Sequence, residues 1–204
     1  PIVVTPSQTD LNCASTCNGM ATGTASGGTP GYTYVWTPEP PVGQGTATAS
    51  SLCAGPWMLT VTDANGCQQV QNYNIQAAAP LEVYITPSPV SCAGLCDGSA
   101  TAIVDGGTPL FSYTWSPEPG DGQGTNGVNG LCAGPGSLTV VDAAGCETTV
   151  AFNVDEPLPV QANATVQDLD CGGVCNGSIA LAPTGGTGTY TYQWPGIPGN
   201  TSPQ

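Results

Sequence analysis

The sequence predicts an all-β protein, a tandem array of antiparallel β-sandwiches stapled by disulfides, and three observations carry that prediction. The chain repeats every 79 residues without a gap: Cys13, Cys17, Cys53 and Cys67 recur as Cys92, Cys96, Cys132 and Cys146, and Trp36 recurs as Trp115 and Trp194. A fixed period of this length marks one structural unit used repeatedly. Stretches of Val, Thr, Ala and Tyr are short and are punctuated by 29 Gly and 20 Pro, the pattern of strands joined by turns. Each full copy carries four cysteines, and a domain of about 80 residues has a thin core that usually needs such staples. The copies occupy residues 1–79, 80–158 and, as a partial third, 159–204.

Copy one shows the elements in order. Ile2–Thr5 reads as a first strand, and Asp10–Gly19 as a loop that bears Cys13 and Cys17. Met20–Ser26 is a second strand of small residues, closed by the turn signal Gly27-Gly28-Thr29-Pro30. Tyr32–Trp36 alternates strictly, which puts Tyr32, Tyr34 and Trp36 on one face and Thr33 and Val35 on the other. A Pro- and Gly-rich loop follows, then a weak strand over Thr46–Leu52 and a strong one over Trp57–Thr62. Asp63-Ala64-Asn65-Gly66 is a hairpin turn, and Cys67–Ile75 returns as the last strand. About six or seven short strands with turns every eight to twelve residues are the signature of an immunoglobulin-like (Ig-like) sandwich. The recurring tryptophan on the third strand is its core residue. Trp57 has Gly136 as its counterpart, and a position that takes either Trp or Gly is read here as surface, an incidental aromatic or an exposed contact.

Composition excludes several functions. The chain has no Lys, Arg or His, and its 14 Asp plus Glu give a net charge of −14. Nucleic-acid binding needs cations that displace phosphate counterions, so no nucleic-acid partner is expected. No apolar run reaches the length of a membrane span, so no membrane insertion is expected. Without His, the usual general base and the commonest metal ligand are missing. Carboxylate pairs such as Asp155-Glu156 or Asp168/Asp170 do not recur between copies, so they read as solvated surface, and the sequence predicts no enzyme. An even number of cysteines per small, strand-rich unit points to an oxidising, extracellular setting. A chain that begins at Pro1 without an initiator Met reads as a processed or excised part of a larger secreted protein.

Spacing narrows the disulfides. The hairpin at 63–66 holds Cys67 beside Asp63, whereas Cys53 lies ten residues earlier along an extended strand, up to roughly 30 Å away. A disulfide needs Cα atoms within about 7 Å, which disfavours Cys53–Cys67 and, with it, Cys13–Cys17. Two connectivities remain, and each ties the Cys-x-x-x-Cys loop to the second half of the copy. Either would close loops worth roughly 3.5–4.5 kcal/mol per bond in the chain-entropy model. A four-cysteine zinc site fits poorly, because Cys53 and Cys67 are too widely spaced for a zinc knuckle.

The motifs together resemble a known family. Cys13–Gly19, Gly27–Pro30, Tyr34–Trp36, Leu52–Gly55 and Leu59–Cys67 match the SprB-type repeat, as do Cys92–Gly98, Gly106–Pro109, Tyr113–Trp115, Leu131–Gly134 and Leu138–Cys146. The third copy shows the first three motifs, with Gly188 in place of the proline. The resemblance implies a very large, secreted cell-surface protein of Bacteroidota-like bacteria, a filament-like stalk or gliding adhesin. It also implies a pairing, because simpler family members keep only the equivalents of Cys13 and Cys67. That selects Cys13–Cys67 with Cys17–Cys53, and Cys92–Cys146 with Cys96–Cys132. Cys171 and Cys175 are left for partners past Gln204 or in another chain. Either the chain continues there, or a second chain completes the third sandwich by strand addition.

Weaker signals complete the reading. Asp63 and Asp142 begin segments like the start of a calcium loop, but the rest of an EF-hand is missing and a turn-initiating Asp explains them as well. No cofactor is expected. Calcium at the joints between copies is the one option, with Glu39 and Glu118 as further candidate ligands. Asn163, Asn176 and Asn200 fit the Asn-glycosylation pattern. The sequence therefore predicts a structural extracellular repeat protein that self-associates into a cell-surface filament or adhesin stalk. The alternative is a carbohydrate- or surface-binding adhesion module that reaches surface glycans through aromatics such as Trp57.

Overall fold

A computed structural model describes residues 1–170, 172 and 176–195, and all regular structure among them is β-strand. The chain forms two compact units. The first holds Pro1–Tyr84, Ile103–Ser112 and Thr139–Thr149; the second holds Ile85–Ala102, Tyr113–Leu138 and the described residues from Val150 onward. The division cuts across copy two, so compact units and sequence copies do not coincide.

Copy one contributes six strands: β1 (Ile2–Thr9), β2 (Gly19–Gly27), β3 (Thr33–Thr37), β4 (Thr48–Leu52), β5 (Gly55–Thr62) and β6 (Gln68–Ile75). They form two three-stranded sheets, ordered β1-β2-β4 and β3-β5-β6. That is the strand order of an Ig-type sandwich reduced to three strands per sheet. β1 runs past the predicted end at Thr5 because its pairing with β2 continues from Ile2↔Gly27 to Thr9↔Met20. Pro6 is tolerated there because β1 is an edge strand.

The core lies between the sheets. Trp36 on β3 is 1 % exposed and packs on Leu52, Leu59, Val61, Tyr73 and Ile75. Its ring centroid lies 5.3 Å from that of Tyr73. The predicted alternation holds, since Val35 points outward at 52 % exposure. Gly23 on β2 has no room for a side chain: a Cβ there would lie 2.3 Å from Leu59 Cδ2 and 2.9 Å from the Tyr73 hydroxyl.

The loop after β3 replaces a strand with a side chain. Gln44 accepts the Trp36 N–H at 2.8 Å and donates to the Trp36 carbonyl at 3.1 Å, so its amide satisfies the free edge of β3. The Trp36 indole N–H donates to the Thr46 carbonyl at 2.9 Å. Copy two repeats all three bonds: Gln123 meets Trp115 at 2.9 Å both ways, and Trp115 donates to Thr125 at 2.8 Å.

Trp57 corrects the sequence reading. It is 9 % exposed, belongs to the core, and donates its indole N–H to the Cys53 carbonyl at 3.0 Å. The Trp-to-Gly exchange is a volume exchange inside the core. At Gly136 a Cβ would lie 2.6 Å from the Phe152 ring, and Phe152 packs edge-on against Trp115 at 5.6 Å. Copy two fills the space from the neighbouring strand.

Copy two supplies β7 (Glu82–Ser88), β8 (Gly98–Asp105), β9 (Ser112–Ser116), β10 (Gly127–Leu131), β11 (Gly134–Val141) and β12 (Glu147–Val154). Their sheets are ordered β10-β8-β7 and β12-β11-β9, as in copy one. In the third copy β13 (Ala164–Gln167) pairs antiparallel with β14 (Ser178–Leu181).

Candidate functional site

The hairpin between β5 and β6 is built on one carboxylate. Asp63 is 7 % exposed and accepts three backbone N–H groups, from Thr29 at 3.0 Å and from Asn65 and Cys67 at 2.9 Å each. These donors, Thr29 foremost, hold its carboxyl below the ordinary aspartate value. Asp142 repeats the arrangement with Thr108 at 2.8 Å, Ala144 at 2.9 Å and Cys146 at 2.8 Å, and its carboxyl is lowered for the same reason. Position 65 takes Asn or Ala because the bond to the aspartate uses its backbone N–H in both copies; the Asn65 amide adds a bond to the Thr29 hydroxyl at 2.7 Å that Ala144 does not make. The two calcium candidates thus serve as acceptors for their own turns. Among the described residues no three of His, Cys, Asp and Glu gather closely enough to hold a metal ion. Glu39 and Glu118 are exposed in the loops after β3 and β9.

The cysteines sit at the two ends of each sandwich. The loop between β1 and β2 is tied to the end of β6: the Leu11 N–H donates to the Gln76 carbonyl at 3.1 Å, and the Gln76 N–H donates to the Asp10 carboxylate at 3.0 Å. Cys67 stands at the opposite, starting end of β6, where its carbonyl accepts the Asp63 N–H at 2.9 Å. Nine residue steps of extended strand place these ends roughly 30 Å apart.

That separation corrects two of the predicted disulfides. Cys13 does not reach Cys67; it is bonded to Cys146, at a Cα separation of 5.5 Å. The same geometry in copy two, where the Val90 N–H meets the Asp155 carbonyl at the end of β12 at 3.0 Å, keeps Cys92 from Cys146. Cys67 and Cys92 are free thiols, and both are exposed. The loop's second cysteine bonds within its own copy: Cys17 to Cys53 and Cys96 to Cys132, at Cα separations of 4.1 and 3.9 Å.

Both ends of the Cys13–Cys146 bond lie in the first compact unit. The Asn12 side-chain amide donates to the Ala144 carbonyl at 3.3 Å. A cleft of about 250 Å³ beside the bond is lined by Cys13, Ala14, Pro80, Leu81, Gly145 and Cys146. The residues that reasoning from sequence missed are Gln44 and Gln123. The period was the available signal, since both recur at one phase between two glycines.

The remaining candidates lie in the third copy. Asn163 donates its amide to the Ala182 carbonyl at 3.1 Å and to the Thr184 hydroxyl at 3.0 Å. Asn176 donates to the Asp170 carboxylate at 2.6 Å. Cys171, Cys175 and Asn200 fall outside the described residues.

The comparisons with known proteins agree with the period. The family model for the SprB repeat matches residues 5–40, 85–120 and 163–199, just over half of the chain. No curated protein matches. Among solved structures, the three N-terminal domains of the bacteriophage RB49 Highly Immunogenic Outer Capsid protein (Hoc) align at 14 % identity, over 93 % of this chain and 71 % of that one, with a TM-score of 0.48. Domains 4–9 of the surface layer protein SbsC align at 17 % identity, over 87 % of this chain and 36 % of that one, with a TM-score of 0.31.

Proposed function

The chain belongs to the SprB repeat family, and on that footing we propose that it is a structural protein of the cell exterior, secreted and arrayed as the stalk of a surface filament or adhesin. One observation carries this reading. The residues that recur with the 79-residue period are occupied with the sandwich itself: Trp36 and Trp115 in the cores, Asp63 and Asp142 in the hairpins, Gln44 and Gln123 along the β3 and β9 edges. A unit whose repeated residues serve mainly its own fold yields length when it is multiplied, and arrays of this kind gain function by extension. Three disulfides accord with an oxidising exterior. The charge of −14 without a single basic side chain gives a surface that repels its own kind except where specific contacts are built.

The glycan-binding alternative loses its named contact, because the Trp57 indole is buried and engaged. Electron microscopy of the native assembly tests the proposal. Filaments with an axial spacing equal to a whole number of copies are expected. Compact particles without an axial repeat would contradict it, and tight binding of the chain on a glycan array would favour the alternative.

A further inference from the structure

The Cys13–Cys146 bond joins residues that are 133 positions apart. It gives the chain two routes between them. One is the polypeptide through β2 to β11, and the other is a single disulfide with a Cα separation of 5.5 Å. The polypeptide route spans about 450 Å when fully extended. A taut chain loads the shorter route, so the long one stays slack while the bond holds.

The slack route holds the folded parts of both copies. All of the copy-one core except Ile2 and Leu11 lies between the two cysteines in sequence, as do Trp115, Leu131, Leu138 and Val140 of copy two. The strands left on the loaded route are β1, before Cys13, and β12, β13 and β14, after Cys146. The free thiols Cys67 and Cys92 and the bonds Cys17–Cys53 and Cys96–Cys132 all fall on the slack route, so their redox state leaves the loaded route unchanged. Both anchor points are held by their own turns. The Cys13 carbonyl accepts the Thr16 N–H at 3.3 Å and the Thr16 hydroxyl at 3.1 Å. The Cys146 N–H donates to the Asp142 carboxylate at 2.8 Å. Cys13 is 8 % exposed, which restricts the access of an attacking thiol to the bond.

We propose that the Cys13–Cys146 bond is a tension clamp, which carries load past copies one and two so that pulling along the chain does not draw out β2 to β11. Forced unfolding follows the unfolding rate of the elements under load, and the clamp takes both sandwich cores off that list. The clamp rests on the stalk reading, which supplies the load. Its state is set by one bond: while that bond is closed the molecule is a short tether, and when it is reduced the same molecule becomes a long one.

The test stretches the 204-residue chain by its two ends in an optical trap. Without reductant the end-to-end length is expected to saturate at about 240 Å, the reach of the segments before Cys13 and after Cys146. Dithiothreitol is then added; it is oxidised to its cyclic disulfide as each protein disulfide takes up two electrons and two protons and becomes two thiols. The length is expected to rise to about 690 Å, a nearly threefold gain. The Cys13→Ser/Cys146→Ser variant, which keeps the bonds Cys17–Cys53 and Cys96–Cys132, is expected to reach about 450 Å without reductant. The comparison of one wild-type molecule before and after reduction needs no variant, so it decides the matter even where the variant fails to fold. An oxidised wild-type length of about 320 Å, the value for bonds Cys13–Cys67 and Cys92–Cys146, would overturn the proposal. So would one of about 450 Å, the value for the two inner bonds alone. Either failure would leave the stalk reading standing, because that reading fails only on the imaging described above.

Discussion

Asp63 and Asp142 are buried charged residues in a chain with no basic side chain to pair with, and backbone N–H groups do the pairing instead. Their lowered pKa values set the sign of a pH effect. The stabilisation is fully present above the unfolded aspartate value of about 3.9 and is lost as pH falls through the lower folded value. Acidification also relieves the self-repulsion of −14 charges, which acts the other way. The difference between wild type and the Asp63→Asn/Asp142→Asn variant isolates the hairpin contribution. Urea midpoints measured from neutral pH into this acid range are expected to converge as pH falls; a gap that stays constant would show that the carboxylate charge contributes nothing. Trp57 gives the lesson at this scale. Its exchange for Gly136 looks like the mark of a surface position, because one sequence does not show that Phe152 fills the vacated volume from the next strand. Gly136→Trp is therefore expected to destabilise by about 1–3 kcal/mol through overpacking. Chemical denaturation checks it, and an unchanged midpoint would return position 136 to the surface.

The elements were legible where side chains alternate. β2, β3, β5 and β6 fall within two residues of the predicted limits at either end, because strict alternation and Gly-marked turns are local signals. The local signals of β1 stop at Thr5, because its continuation past Pro6 depends on pairing with β2, which is not local. The replacement of a strand by Gln44 was not legible at all, since a glutamine in a Gly- and Pro-rich loop reads as solvated. Its two bonds to the Trp36 backbone, together with the indole bond to Thr46, fix the loop across the β3 edge. Gln44→Ala removes both partners from the Trp36 backbone groups and is expected to cost about 1–3 kcal/mol. Thermal unfolding followed by Trp fluorescence reads this, and Gln44→Glu, which keeps only the acceptor, is expected to fall between the two.

At the scale of the whole molecule, the period was fully legible and the route of the disulfides was not. The strand-length argument that separates Cys53 from Cys67 also separates Cys13 from Cys67. It applies only once the Cys13 loop is known to sit at the far end of β6, a fact held in long-range bonds such as Leu11 to Gln76. A resemblance to family members with two cysteines cannot distinguish a bond inside a copy from a bond between copies, because both use the same pair of positions. The consequence is large: one pairing makes each copy a closed domain, the other makes successive copies one covalent structure. Peptide mapping of the native chain under non-reducing conditions decides between them. A linked peptide containing Cys13 and Cys146, with Cys67 and Cys92 alkylated as free thiols, is the predicted result. Peptides linking Cys13 to Cys67 and Cys92 to Cys146 would contradict it.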